Sequence, residues 1–262
     1  MGTETADRQG FGALLRQWRQ RRRVSQLDLA LAADVSARHV SFLETGRSRP
    51  SREMVLRLAE RLDVPLRDRN PLLLAAGFAP SYPRRAYEDP ALSPVRDAVG
   101  AILTGYEPYP ALAVDRDWNL VAANAGVAML TAPAAPELRE PPVNVLRLSL
   151  HPAGMAPHIL NLAQWRHHVL GRLAREAAAS ADPGLAELHR ELSGYPGGED
   201  GGAEQAVAVP LRLRLDGREL SFLSTVTTFG TALDITAAEL SIEAFLPADR
   251  TTAALLAERQ LG

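Results

Sequence analysis

The spacing of apolar residues divides the chain into a helical first part and a mixed second part. Over residues 11–18, 52–62 and 66–76 the apolar positions recur at steps of three and four, which predicts three amphipathic helices. Pro71 lacks a backbone N–H, so we expect a kink or a restart near Arg69 in the last of them. These helices predict a small all-α bundle at the start of the chain.

Two shorter helices are predicted between the first and second of these, because their ends carry capping residues. Ser25, with Asp28 at the third helical position, fits an N-terminal capping box and is followed by an alanine-rich helix. Ser36 can cap a further helix over residues 37–45, which Gly46 would close in the left-handed conformation. The pattern predicts two short helices joined by a tight turn.

Charge is distributed unevenly along the chain. Residues 1–85 hold 16 arginines and nine acidic residues, a net charge of +7, whereas the remaining chain holds 13 arginines and 22 acidic residues, a net charge of −9. A cationic surface gains affinity for a polyanion by displacing the counterions condensed on its phosphates. The charge alone could equally belong to a solvated helix surface, but together with the capped helix pair it favours a DNA partner.

The helix over residues 37–45 has the composition of one that enters a major groove. We expect Arg38 to contact a base, since arginine can donate two hydrogen bonds to guanine. Gln26, at the start of the preceding helix, and Arg47 and Arg49, beyond this helix, are placed to bind phosphates. The candidate DNA-binding residues are Gln26, Ser36, Ala37, Arg38, His39, Ser41, Phe42, Arg47 and Arg49.

Several of these positions belong to a family signature. Residues 25–26, 35–36, 42–46 and 49–51 (Ser-Gln, Val-Ser, Phe-Leu-Glu-Thr-Gly and Arg-Pro-Ser) resemble the XRE family of helix-turn-helix regulators, which includes lambda repressor and Cro. The resemblance covers about residues 10–77. It implies that Gln26 contacts the operator and that the third helix is the recognition helix. We assign this domain to residues 1–78, and the proline- and charge-rich residues 79–91 to a linker.

Beyond the linker, helical and alternating patterns are mixed. Apolar spacing predicts helices at 94–106, 157–179 and 183–192 and short strands at 111–114 and 120–123. The pattern predicts a proline-broken loop at residues 133–142 and a loop at the glycine-rich residues 194–202, which lack the spacing of a phosphate cradle. We expect the helices to cover a sheet.

The last third of the chain has the pattern of antiparallel strands. From Val207 to Leu215 apolar and polar residues alternate, and Asp216-Gly217 predicts a two-residue hairpin with a return strand after it. A third alternating segment over 240–246 precedes a closing helix. Residues 92–262 are therefore predicted to form an antiparallel sheet packed with helices.

This second part of the chain also resembles a known family. Residues 110–115, 151–154 with Asn161, 228–231 and 243–249 look like the MmyB-like regulator ligand-binding domain, with the likeness extending over about residues 92–258. It implies a PAS-like fold in a homodimeric regulator, with a cavity that can hold a long-chain fatty acid or a similar amphiphile. One departure is that Leu162, and not a tryptophan, follows Asn161.

A ligand of this kind would need an apolar slot with a few polar groups to fix its head. Arg166 could hold a carboxylate through two hydrogen bonds, and His151 and Asn161 are the other head-group candidates. Each of these residues could instead be an ordinary core or surface position. The candidate ligand-binding residues are Trp118, Met129, His151, Met155, Ile159, Asn161, Leu162, Trp165, Arg166 and Phe222.

Other functional classes find little support in the sequence. The chain has no cysteine, which excludes disulfides, thiolate metal sites and cysteine nucleophiles. The adjacent His167 and His168 would diverge by about 100° on a helix and could not readily chelate one ion. We predict no metal, cofactor or catalytic residue, although a PAS-like cavity could hold a flavin or haem. No apolar run reaches the roughly 20 residues that span a bilayer, so we expect a cytoplasmic protein.

These observations predict an α+β multidomain protein. Its N-terminal part is a five-helix helix-turn-helix bundle, and its C-terminal part is a PAS-like antiparallel sheet packed with helices. We expect a homodimeric transcription regulator that binds a double-stranded DNA operator and a small hydrophobic effector, without enzymatic activity or membrane insertion. The alternative is an antitoxin-like protein-interaction module that has no small-molecule effector.

Overall fold

The computed structural model describes residues 10–180, 182–197 and 208–260 and divides into two compact units. The first unit comprises the chain up to Ala86 together with Thr231–Ala238, and the second comprises Tyr87–Gly230 and the chain from Glu239 onward. The boundary between the two units, after Ala86, falls within the predicted linker at 79–91. Val207 and residues 198–202 of the predicted glycine-rich loop lie outside the described residues.

The regular elements fall in both units. The helices are α1 (Phe11–Arg21), α2 (Gln26–Ala32), α3 (Ala37–Glu44), α4 (Arg52–Arg61), α5 (Leu66–Ala75), α6 (Ser93–Gly105), α7 (Ala125–Thr131), α8 (Val145–Leu150), α9 (Leu162–Ser180), α10 (Pro183–Ser193), α11 (Ile235–Ala238) and α12 (Arg250–Gln260). The strands are β1 (Ala111–Val114), β2 (Leu120–Ala123), β3 (Leu211–Leu215), β4 (Arg218–Thr228) and β5 (Ser241–Pro247). Single 3₁₀ turns lie at Pro90–Leu92, Pro136–Arg139 and Ala156–His158.

The first unit contains the predicted bundle α1–α5, and its capping residues are in the expected places. The Ser25 hydroxyl accepts a hydrogen bond from the Asp28 amide at 3.1 Å, and the reciprocal bond from the Ser25 amide completes the capping box. The Ser36 hydroxyl caps α3 through the His39 amide, also at 3.1 Å. Gly46 follows α3 with φ of 72°, the left-handed conformation that glycine adopts without steric cost.

A glycine allows α1 and α3 to pack closely together. A Cβ atom added at Gly12 would lie 2.5 Å from the carbonyl oxygens of Leu43 and Glu44, closer than a real side chain allows. Around this contact the inner faces of the five helices form one apolar core, with Leu15, Leu29, Val40, Leu43, Leu58 and Leu73 among its fully buried members. The helix-turn-helix is therefore held rigidly against α1.

The prediction of a restart in α5 is wrong. The helix continues through Pro71 from Leu66 to Ala75. Leu72 and Leu73, which follow the proline, are buried in the core, and this burial outweighs the one backbone hydrogen bond that Pro71 cannot make. The side chain of Asn70, just before Pro71, forms hydrogen bonds to the backbone of Ser81 and Tyr82, in the segment that follows α5.

The first unit also includes a segment that the sequence pattern did not predict to belong to it. The Ile235 amide, at the start of α11, donates a hydrogen bond to the Pro83 carbonyl at 2.9 Å. Asp234 accepts a hydrogen bond from the Arg85 guanidinium at 2.8 Å, and the Thr236 hydroxyl donates to the Arg85 carbonyl at 2.6 Å. These bonds join Thr231–Ala238, which connects β4 to β5, to the chain that follows α5.

The second unit is built on a five-stranded antiparallel sheet with strand order β2-β1-β5-β4-β3. The Asp216-Gly217 hairpin between β3 and β4 is confirmed, and both residues have positive φ angles, 50° and 73°. The strand predicted from Val207 begins at Leu211 in the structure. The α+β architecture predicted for this part of the chain is confirmed.

Helix α9 begins five residues later than the periodicity predicts. Ile159 is paired with Leu213 of β3, and the Leu160 amide donates to the Arg212 carbonyl at 2.8 Å. These backbone bonds hold residues 159–160 in an extended form beside the strand, so the helix starts at Leu162. Helix α8, which carries the apolar residues Leu146, Leu148 and Leu150 into the core, was not predicted.

Each face of the sheet has its own apolar core. On one face α6 packs through Val99 and Leu103 against small and branched residues of β1 and β5. The other face carries the larger cluster, to which α7–α10 and α12 contribute and which includes Trp118, Trp165 and Phe222. None of the described helices is both long and apolar enough to cross a membrane.

Candidate nucleic-acid interface and ligand cavity

Arg38 on α3 and Arg47 beyond the end of this helix both lie close to one aromatic ring. The Arg38 guanidinium lies 5.1 Å from the centre of the Phe42 ring, and that of Arg47 lies 5.9 Å from it. Both arginines are exposed, and neither has a carboxylate partner among the described residues. Contact with the ring restricts where the two cations point without neutralising them, so both remain able to bind an anion.

The other candidate DNA-binding residues lie on or beside the same helix. Ser36 is the exposed N-cap of α3, and its hydroxyl is used in capping. Ala37, His39 and Ser41 lie on the first turns of α3 and are partly exposed. Arg49 lies beyond the end of the helix and is exposed. All of the candidates except Gln26 thus belong to α3 or to its two ends.

Gln26, on α2, is held by a charged network that the sequence analysis missed. Its side-chain amide donates to Oε2 of Glu44 at 2.7 Å, while Arg19 of α1 donates to both Glu44 oxygens at 2.6 and 3.0 Å. The Glu44 side chain is only 3% exposed. Burial alone would raise the pKa of Glu44, but the hydrogen bonds from Arg19 and Gln26 outweigh it and lower that pKa. The sequence does contain a signal for the burial of Glu44, because Glu44 follows the buried Val40 by one helical turn and so lies on the same face of α3.

The second unit contains a cavity of about 430 Å³ beneath the sheet face that carries the larger core. This volume falls within the range of roughly 300–1,000 Å³ typical of small-molecule sites. Its walls are mainly apolar and come from β1–β5, α7–α9 and the adjoining loops. The apolar lining includes Leu112, Trp118, Leu120, Val127, Leu130, Val143, Val145, Leu146, Leu148, Met155, Ile159, Trp165, Val169, Leu211, Leu213 and Phe245.

Four of the ten candidate ligand-binding residues line this cavity. They are Trp118, Met155, Ile159 and Trp165. Met129 and Leu162 are partly buried and pack against the same core without lining the cavity, and Phe222 is fully buried within that core. The aromatic and aliphatic part of the predicted site is therefore only partly brought together.

The three predicted head-group residues do not line the cavity, because each of them holds a loop in place. His151 accepts a hydrogen bond from the Ala153 amide at 3.0 Å. Asn161 donates to the Pro210 carbonyl at 2.7 Å and accepts from the Arg212 amide at 3.1 Å. The Arg166 guanidinium donates to the Ser193 carbonyl at 2.6 Å.

The structure instead gathers a different set of polar groups at the cavity, centred on Arg172 of α9. Its Nε atom donates to Glu176 at 2.9 Å and its Nη1 atom donates to Glu243 of β5. The guanidinium also lies 4.5 Å from the centre of the Trp118 ring, whose indole N–H donates to Glu176 at 3.0 Å. Arg172, Glu243 and Trp118 all line the cavity. Sequence periodicity did not single out Arg172 or Glu243.

Burial affects the ionisation of the groups around Arg172. Desolvation raises the pKa of Glu243, and the charge of Arg172 only partly offsets this effect. His168, which also lines the cavity and stacks on Trp165, has its pKa lowered by burial and by the cations Arg172 and Arg175. His168 is therefore held as a neutral imidazole near pH 7.

Arg139 is the other arginine of the lining, and it differs from Arg172 in being exposed. It has no carboxylate partner among the described residues, and solvent reaches it. Asn124 also lines the cavity, but its side chain is fully used in bonds to the backbone of Leu103, Tyr109 and Ala111. No group of three or more histidine or acidic side chains in the described part of the chain is arranged to hold a metal.

A helix-turn-helix unit and a second unit with an apolar cavity together define a ligand-binding class of transcription regulator. Residues 95–258 match the family model described as the MmyB-like transcription regulator ligand binding domain, and residues 11–72 match that of a helix-turn-helix domain. The chain belongs to the family of MmyB-like transcription regulators. The predicted helix-turn-helix domain and the resemblance to MmyB-like regulators are thereby confirmed, while assignment to the XRE family in particular stays a prediction.

Comparison with solved structures finds chains of the clp gene regulator ClgR from Corynebacterium glutamicum. One is 36% identical and covers 27% of this chain and 87% of its own, with a TM-score of 0.24. Another is 27% identical and covers 38% of this chain and 94% of its own, with a TM-score of 0.23. No curated protein matches the sequence.

Proposed function

We propose that this transcription regulator binds operator DNA through α3 as a homodimer and that an amphiphile bound in the cavity alters its affinity for DNA. The observation that carries the DNA-binding part is the pair of exposed arginines, Arg38 and Arg47, which lie beside the Phe42 ring with no carboxylate partner in the described chain. Ion pairs within the protein would have neutralised these two cations. Leaving them free suits a phosphate or base partner.

Within this proposal the residues around α3 divide the work. Arg38, on the first turn of the recognition helix, contacts a base edge, with Ala37, His39, Ser41 and Phe42 beside it in the groove. Ser36, Arg47 and Arg49 bind the phosphate backbone at the two ends of the helix. Gln26 contacts the operator from the start of α2, where Glu44 fixes its side chain.

In a homodimer, two copies of α3 would read half-sites about one helical turn of DNA apart. The effector would shift the population of dimers with this spacing. The apolar walls of the cavity support a ligand with an aliphatic body, such as a fatty acid or a similar amphiphile. Arg139, the exposed arginine of the lining, is suited to an anionic head group.

The test begins with selection of an operator from random duplex DNA by the full chain. Fluorescence anisotropy then compares the selected site with a scrambled one, with and without tetradecanoate as the probe amphiphile. We expect a specificity ratio of about 10³ or more at near-physiological salt, and a change in operator affinity when the probe is present. Native mass spectrometry of the same samples reports the oligomer and any ligand that it carries.

Two results would contradict the proposal. Equal affinity for selected and scrambled DNA would remove the sequence-specific role of α3. A stoichiometric protein partner, together with no DNA binding even at low salt, would favour the antitoxin-like alternative. Failure of tetradecanoate to bind would reject the proposed ligand class but leave the DNA-binding role intact.

A further inference from the structure

We propose that Glu243 recognises a hydroxyl group on the aliphatic body of the effector, so that the cavity selects a hydroxylated acyl chain over an unsubstituted one. This inference rests on the proposed function, because it specifies the amphiphile that the same cavity would bind. It assigns a specificity-determining role to an acidic residue in a mainly apolar cavity.

Glu243 is a buried residue that makes few hydrogen bonds within the protein. The residue is 8% exposed and lines the cavity from β5. An ionised carboxylate offers about four acceptor positions, yet among the described residues the only group that bonds to Glu243 is Nη1 of Arg172, on Oε1. The remaining acceptor positions of this carboxylate are available to a donor that a ligand carries into the cavity.

The part of the cavity around Arg172 does not suit an anionic group. Arg172 already bonds two carboxylates, those of Glu176 and Glu243, and its face is covered by Trp118. His168, the other titratable group nearby, is held neutral by burial and by neighbouring cations. A ligand carboxylate in this position would meet two negative charges and only one positive charge, which is already paired.

The two arginines of the lining differ in their ability to bind an acid head group. Arg172 is committed to carboxylates, whereas Arg139 is exposed without a carboxylate partner in the described chain. An acid head group therefore fits at Arg139, and an aliphatic chain attached to it would lie against the buried apolar residues that share the cavity with Glu243. A polar substituent on that chain is the group that can reach Glu243.

A hydroxyl fits Glu243 better than an ammonium does. Transfer of a charged ammonium into a buried site costs far more than transfer of a hydroxyl. Burial raises the pKa of Glu243, and the charged groups that act on it are Arg172 and Glu176. A hydroxyl can both donate and accept a hydrogen bond, so it can pair with Glu243 whether or not the carboxyl group carries a proton.

The experiment uses the full-length protein and measures dissociation constants by isothermal titration calorimetry. The probes are tetradecanoate and a panel of monohydroxylated tetradecanoates with the hydroxyl at successive carbons, including the terminal one. We expect at least one hydroxylated isomer to bind about tenfold more tightly than tetradecanoate, the size expected for a hydrogen bond to a buried carboxylate. In Glu243→Gln we expect this advantage to fall below about threefold, since a neutral amide is a weaker acceptor.

Two further variants separate specificity from folding. Ser224→Ala removes another polar group from the same cavity wall, on β4, and is expected to retain the advantage. Glu243→Met removes the acceptor while keeping the length of the side chain, and is expected to abolish the advantage. Thermal unfolding of each variant verifies that it is folded before its affinity is compared.

The outcomes distinguish the inference from the proposed function. Equal binding of tetradecanoate and every hydroxylated isomer by the wild-type protein would overturn the role of Glu243 and leave an amphiphile sensor in place. The role of Glu243 would also be overturned if the affinity advantage survived in both Glu243 variants but disappeared in Ser224→Ala. The hydroxyl would then be recognised by Ser224 and not by Glu243. No binding of any probe would overturn both the inference and the proposed ligand class.

Discussion

Gln26 donates a hydrogen bond from its side-chain amide to Oε2 of Glu44 over 2.7 Å. The first residue of α2 is thereby fixed by the last residue of α3, and Arg19 of α1 binds the same carboxylate. The two helices of the helix-turn-helix are thus joined by a side-chain bond in addition to their apolar contact. Glu44 positions Gln26 without needing to touch DNA itself.

We predict that Glu44→Gln lowers the free energy of unfolding by about 1–3 kcal/mol, because it weakens a buried charge-assisted network. Operator affinity should fall as well, since Gln26 loses its fixed orientation. Chemical denaturation and anisotropy measure the two effects. Glu53→Gln is the control, because the Glu53 side chain is 81% exposed and its ion pair with Arg57 is expected to contribute only about 0.5 kcal/mol. Equal losses in the two variants would contradict the network.

The Glu44 carboxylate also makes the free energy of unfolding depend on pH, in a direction that follows from its pKa. The pKa of Glu44 in the folded state lies below its usual value, so its contribution to stability is complete above the unfolded pKa of about 4.3 and is lost as pH falls through the folded pKa. The stability difference between wild type and Glu44→Gln should be constant above about pH 5.5 and shrink as the pH falls below about 4. Denaturation at a series of pH values measures it, and a difference that grows on acidification would reverse the sign.

Arg38 and Arg47 should respond differently to truncation. Arg38→Ala is expected to lose preference for the selected operator, at a cost of about 1–3 kcal/mol, with little change on random DNA. Arg47→Ala should weaken binding to all DNA similarly and reduce the salt slope by about one unit. Anisotropy titrations at several salt concentrations measure both, with Arg190→Ala, an exposed residue of α10, as control. If both variants lose affinity equally on specific and random DNA, the assigned roles are wrong.

Two glycine-to-alanine substitutions should have opposite effects. Gly12→Ala would place a methyl group 2.5 Å from two backbone carbonyls, so α1 and α3 must separate, and we expect a loss of about 2–3 kcal/mol. Gly100→Ala, in α6, meets no atom within 4 Å and should stabilise its helix by about 0.5–1 kcal/mol. Denaturation of the two variants tests the contact, and an unchanged stability in Gly12→Ala would mean that the helices are not in close contact.

Asp234 should control how firmly the Thr231–Ala238 segment is held in the first unit. One of its oxygens accepts from Arg85 at 2.8 Å and the other accepts from the Thr236 amide at 2.9 Å. In Asp234→Ala we expect faster hydrogen exchange at the Ile235 amide, which is bonded to the Pro83 carbonyl. Hydrogen exchange read by mass spectrometry measures the change. Asp216→Ala, in the β3–β4 hairpin, is the comparison and should leave that amide unchanged.

The helix-turn-helix could be predicted from the sequence because its determinants are local. The Ser25 and Ser36 caps, the apolar stripes and Gly46 each act within one turn of chain, and all are found where they were expected. The Asp216-Gly217 hairpin is local in the same sense. Local patterns give wrong predictions where contacts between distant residues compete with them. Pairing of residue 159 with β3 makes α9 start later than predicted, and burial in the core allows α5 to continue through Pro71.

The polar part of the cavity could not be predicted for the same reason. Arg172 and Glu243 are 71 residues apart, and their pairing depends on how α9 packs on β5. Arg166 has the same chemical character as Arg172 and lies on the same helix, but it faces the Ser193 carbonyl. Composition identified a guanidinium on this helix as a candidate, and only the packing determines which one reaches the cavity.

The membership of Thr231–Ala238 in the first unit has a practical consequence for dissecting the protein. A fragment that ends at Ala86 would lack Asp234 and Thr236, and with them the bonds to Arg85, although it contains all five helices of the bundle. A fragment that begins at Tyr87 would carry a segment whose partners have been removed. Exchange of either unit between relatives therefore requires two separate stretches of sequence to be transferred together. Neither unit is formed by one continuous stretch of the chain.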